Sequence, residues 1–208
     1  MTEYLEIVQN IVILIFSLVI HENAHARVAY YLGDPTSKNN ERFSFNPIKH
    51  IHWLGLILPV ILALMHIKPI GFAKPVMVDT RNFKHPRFYN ILVALAGPIS
   101  NLFLATIAIM IYTRLGSENT EGVLFSTSNF LISFFAINLM LCLFNLIPLP
   151  PCDGSRLYTS FIDQRSVKIH SFIEGAGFVL IICMLSNDRI FSYFLHFLGY
   201  IAELMEKL

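Results

Sequence analysis

Apolar runs of near-membrane length recur along this chain, matching or approaching the roughly 20 residues that an α-helix needs to cross a bilayer. The first starts near Leu5, is densest over Ile11–Ile20 and stays helix-compatible to Leu32, where Gly33-Asp34-Pro35 ends it. Glycine suits a left-handed cap there, and proline cannot continue a helix. Ile91–Leu115 and Val123–Ile147 are two further spans. Phe172–Leu185 and Ile190–Met205 form either one span with an amphipathic tail or two spans. Trp53–Met65 is apolar but only 13 residues long, with Pro59 near its middle, and reads as a re-entrant segment. The sequence therefore predicts an all-α integral membrane protein with four to six membrane segments, embedded in the lipid bilayer as one domain over 1–208.

Composition leaves little room for another class. Apolar residues make up 55% of the chain and charged residues only 14%, against about 25% in soluble domains, so a normally solvated surface cannot be built. A net charge of +1 with no basic stripe argues against a nucleic-acid partner. Cys142, Cys152 and Cys183 make no disulfide framework and no CxxC clip. Glu3 and Glu6 stand where a signal peptide needs positive charge, so the first apolar run is expected to stay in the mature protein. Between the spans, Arg42–Phe45 alternates like a short strand, as does Ile70–Val78 around Pro75, which predicts a short β-hairpin.

His21-Glu22-Asn23-Ala24-His25 is an HExxH motif on the first span. Histidines at i and i+4 share a helix face, so both imidazoles can reach one metal ion. The adjacent glutamate can act as general base on a water at that metal. Such side chains are costly in a membrane helix unless they are paired or functional. Catalytic zinc takes three protein ligands, and Asp153, in a proline-flanked bend after an apolar span, is the best third. Asn145, eight residues earlier, lies where that helix unravels and could offer its amide to a substrate peptide or to a neighbouring helix.

Topology supplies a separate argument. If Trp53–Met65 crossed the membrane, the histidines and Asp153 would lie toward opposite faces, too far apart for metal bonds of about 2 Å. If it dips in and returns, they share a side. The loops 33–50, 66–90 and 151–168 hold 11 of the 15 basic residues, which by the positive-inside rule places that side in the cytoplasm, as expected for a bacterial plasma membrane.

The segments HENAHARVAYYLGDPT, GFAKPV, ALAGPISN and NLIPLPPCDG together resemble the site-2 protease family of intramembrane zinc metalloproteases, from about Leu18 to Arg156. The resemblance implies one zinc on His21, His25 and Asp153, Glu22 as catalytic base and Asn145 near the bound peptide. It implies a three-helix core from the spans containing His21, Gly97 and Asn145. It also implies a substrate that is another membrane protein, cleaved in or near its transmembrane segment. No PDZ or CBS module fits in the remaining length, as in the minimal single-domain subgroup. Cys152 stands where an aliphatic residue is expected, and His50-x-His52-Trp53 where an Asp-Pro pair is expected. A buried small-hydrophobe role is the simpler reading of Cys152, and His50 and His52 could form a second metal site. Gly71–Val78 is the candidate edge for pairing with an unwound substrate. The rivals are a di-iron oxygenase, which needs more His boxes than this one, and an inactive membrane scaffold or transporter that retains the metal motif.

Overall fold

The computed structural model describes residues 2–49, 77–115, 122–162 and 166–206. Lipid offers no partner to backbone N–H and C=O groups, so long apolar runs satisfy them internally as helices. Helix α1 spans Thr2–Tyr31, followed by a single turn, α2, at Thr36–Asn39. Then come α3 (Pro86–Leu115) and α4 (Gly122–Asn145). A short α5 (Arg156–Thr159) precedes α6 (Val167–Ser186) and α7 (Asp188–Glu206).

Among the described residues, four helices are long and apolar enough to cross a membrane: Tyr4–Tyr31, Pro86–Leu115, Thr127–Asn145 and Val167–Ser186. Helix α3 starts at Pro86, ahead of the apolar run at Ile91, because proline suits the first turn, where its missing N–H costs nothing. The tail resolves into α6 and a separate amphipathic α7. Asn187 interrupts the helix between them, and its side chain accepts from the backbone N–H groups of Arg189 and Ile190.

Helices α1, α3 and α4 pack mutually and form the three-helix core. Ala105, Ala108 and Ile109 of α3 bury against Leu131, Phe135 and Leu139 of α4. The stripe Leu198, Ile201, Ala202 and Met205 of α7, spaced i, i+3, i+4, i+7, closes over that seam. Outward faces stay apolar: Leu5, Val8, Val12, Phe103 and Met110 are all more than half exposed. Rings of exposed large hydrophobic residues suit lipid rather than water.

The end of α1 is set as the sequence predicts. Gly33 has φ +108°, and the Asp34 N–H reaches back to the Ala29 carbonyl, the six-residue closure of a Schellman turn. Asp34 is wholly buried, and its carboxylate accepts from the Thr36 N–H and hydroxyl, the Asp79 N–H and the Asn82 amide. That carboxylate ties the chain entering α3 to the chain leaving α1. Both ends of the stretch 50–76 therefore lie at one end of the bundle. The stretch itself lies outside the described residues, and with it the re-entrant segment at Trp53–Met65 and the strand-like run up to Val76.

The short β-hairpin finds no support: residues 42–46 are neither helix nor strand, no strand occurs among the described residues, and 70–76 lie outside them. Side chains of α1 contact this segment: the Asn23 amide donates to the Ser44 carbonyl at 2.7 Å, and Arg27 lies 5.5 Å from the ring centroids of both Phe43 and Phe45.

Burial alone would raise the Asp34 pKa, but the hydrogen bonds from Thr36, Asn82 and Asp79 hold it below the usual carboxylate range. Its stabilisation is therefore present above the ordinary carboxylate range and is lost as pH falls through the depressed value. Asp34→Ala should cost about 1–3 kcal/mol, read by thermal unfolding in detergent at pH 7. The gap to the parent should narrow in acid.

Candidate metal centre and active site

The last third of α1 carries both histidines on one face, directed at α3. His21 Nε2 and His25 Nε2 lie 3.0 Å apart, and Asp153 Oδ2 is 3.1 Å from each. Among the described residues this is the one group of three metal-ligating side chains that converges, and both histidines are buried. The hydrogen bonds on the far side of each ring decide what that convergence means. His25 Nδ1 faces the Val93 carbonyl at 2.6 Å, and His21 Nδ1 faces Asn101 Oδ1. Both partners only accept, so each neutral ring carries its proton on Nδ1 and turns an Nε2 lone pair inward.

Two lone pairs and a carboxylate oxygen within 3.1 Å repel one another unless positive charge sits among them. Tetrahedral zinc with bonds of about 2.1 Å sets its ligand atoms about 3.4 Å apart, close to this spacing. The N2O donor set, the fixed tautomers and the outer hydrogen bonds all fit zinc.

Asp153 reaches the histidines because the chain doubles back after α4. Gly154 makes this possible: a Cβ there would stand 2.3 Å from the Leu146 carbonyl oxygen. From the other side, Gly177 of α6 presses on Pro150, where a Cβ would meet the ring at 2.4 Å. Cys152 packs with Ile181 and Leu185 of α6, and burial, helped by the Asp153 charge, pushes its thiol up to about 12. It serves as a small buried hydrophobe. The loop holding the third ligand is thus clasped between α4 and α6.

Glu22 is buried beside His21 on the next position of the helix. The Asn145 amide donates to the Leu141 carbonyl of its own helix at 2.9 Å. His50, His52 and their suggested second site fall at or within the stretch outside the described residues. Residue types and spacing had not singled out Asn101, Asn138 or Gly177. The available signal was an uncharged amide within an apolar span, which in lipid must find a partner.

Gly97 sets how closely α3 approaches α1. A Cβ there would lie 2.3 Å from His25 Nε2 and 2.5 Å from His21 Nε2, inside the space between the ligands. Alanine is the better helix former, so Gly97→Ala should leave the helices intact. It should nevertheless abolish stoichiometric zinc, measured by elemental analysis of the purified protein. Full zinc occupancy in this variant would show that α1 and α3 separate easily.

The family model for Peptidase family M50 matches residues 117–185. A Bacillus subtilis protein provisionally named zinc metalloprotease YwhC is 38% identical over 178 residues, covering 84% of this chain and 78% of its own. A Mycolicibacterium smegmatis protein provisionally named zinc metalloprotease Rip2 is 27% identical over 86% of this chain and 67% of its own. Its Mycobacterium tuberculosis namesake is 35% identical over 66% of this chain and 51% of its own. No solved structure matches the chain at a significant level. Together with the zinc-adapted triad, these likenesses show that the chain belongs to peptidase family M50, the site-2 proteases, and is a membrane-embedded zinc metalloprotease.

Proposed function

We propose that this chain hydrolyses peptide bonds in or near transmembrane segments of other membrane proteins, with its active site toward the cytoplasm. The observation that carries this reading is the convergence of His21, His25 and Asp153 inside a bundle whose outer surface is apolar. A site so enclosed by membrane-length helices suits a substrate that arrives through lipid. His21 and His25 of α1 and Asp153 of the folded-back loop hold the zinc. When bound, zinc supplies the Lewis acidity that polarises a scissile carbonyl and acidifies water.

The chain's own groups do the rest. Glu22 accepts the proton of the attacking water and delivers it to the leaving amine, the role of a carboxylate next to a ligand histidine. Asn145, in the last turn of α4, would offer its amide to a peptide group of the substrate in exchange for the Leu141 carbonyl that it bonds here. A helical substrate hides its peptide bonds, so it must be locally extended first. The strand-like Gly71–Val78 is our candidate for holding it by main-chain pairing.

Chemistry and metal are separable. Replacement of His21, His25 or Asp153 by Ala should remove stoichiometric zinc. Glu22→Gln should keep zinc and abolish cleavage of a single-span substrate, a loss of at least about 100-fold for a missing general base. Cleavage by Glu22→Gln at the parent rate would exclude this mechanism.

The orientation has its own test. Cysteines introduced at Asn40, Lys84 and Ser160 should all react with impermeant reagent from the cytoplasmic side. One at Ser117 should react from the opposite side. Labelling of Asn40 and Lys84 from different sides would overturn the proposed arrangement.

A further inference from the structure

We propose that Asn101 and Asn138 form an amide relay through which the backbone of α4 decides which nitrogen of His21 faces the metal. Both are positioning residues, and the inference rests on the reading of His21 as a zinc ligand. The chain of contacts starts at the Phe134 carbonyl, which can only accept. Asn138 must therefore turn its amide nitrogen toward it, at 2.9 Å. That leaves Asn138 Oδ1 facing α3, where it accepts from Asn101 Nδ2 at 2.9 Å. The Asn101 nitrogen also points at the Ser17 carbonyl on α1, at 3.4 Å too long to hold the amide's orientation by itself. Asn101 Oδ1 is then the atom left for His21 Nδ1, which must carry the proton.

Each link depends on the one before it, and the relay crosses from α4 through α3 to α1. Asn101 and Asn138 are each 0% exposed and His21 is 3% exposed, so bulk water does not compete for these bonds. At residue 101 one acceptor and two donors are used, which a side-chain amide supplies and a hydroxyl does not. Aspartate would supply acceptors alone and bring a second negative charge into the bundle, and leucine supplies neither. Without the relay, His21 is free to take the other tautomer, with Nε2–H pointing at Asp153 where the metal needs a lone pair.

The test uses the purified full chain, with zinc affinity from chelator competition and the visible spectrum of the Co(II)-loaded protein. Asn101→Leu should weaken zinc about 10–100-fold and alter the Co(II) bands, while unfolding of the metal-free protein shows it still folds. Asn101→Asp keeps an acceptor for His21 and should lose less. Asn138→Leu should also weaken zinc. The double variant should bind no more weakly than Asn101→Leu alone, because Asn138 acts only through Asn101. Parent affinity in Asn101→Leu, or losses that multiply in the double variant, would overturn the relay. Should Asn101→Leu fail to fold, Asn138→Leu decides, parent affinity there being the overturning result. Zinc retained by His21→Ala would sink the ligand assignment and the relay together. Zinc lost there but kept by Asn101→Leu sinks the relay alone.

Discussion

The convergence of three side-chain atoms, His21 Nε2, His25 Nε2 and Asp153 Oδ2, is the constraint around which this bundle is arranged. Held within 3.1 Å of one another, they call for positive charge among them, which a metal ion would supply. Bringing them together imposes distances on the backbone. Helices α1 and α3 must approach until no side chain fits at residue 97, and the chain after α4 must fold onto its own last turn at Gly154. The apolar seam of α3, α4 and α7 holds α3 against α4 on the side away from this contact. Elsewhere, the buried Asp34 carboxylate holds the two strands of chain that enter and leave the site end of the bundle.

Much of this was legible in the sequence. Long helices could be read because lipid forces apolar runs into them, and HExxH stood out because helical spacing aligns its histidines. Asp153 stood out as the candidate to join them because prolines at 148, 150 and 151 end the helix and leave an acidic residue beside a glycine. The strand-like pattern at 42–45 shows the limit of alternation as a signal: those residues form no strand among the described residues, and Asn23 and Arg27 of α1 lie against them. Asn101 and Asn138 were harder to find because their function is directional. It depends on which end of an amide points at which helix, and periodicity carries no such information.

Helix α6 belongs to the site as well as to the membrane. It packs on the loop before α5, through Gly177 against Pro150 and through Ile181 and Leu185 against Cys152. The third ligand is therefore set from two sides, by a fold-back that belongs to α4 and by a helix that follows Asp153 in the chain. The two histidines, by contrast, sit within a long regular helix. The metal joins a rigid half of the site to one assembled from a loop and its clamp.

The outer partners of the two histidines differ in a way that bears on how such a site can change over evolutionary time. His25 leans on the Val93 carbonyl, a group that every amino acid at position 93 would supply, so side-chain replacement there cannot delete it. His21 leans on the Asn101 side chain, which a single codon change can remove. One imidazole is thus shielded from point mutation in its surroundings and the other is not. Drift in metal affinity, or in the identity of the preferred metal, has an open route through His21 and α3 and a closed one through His25.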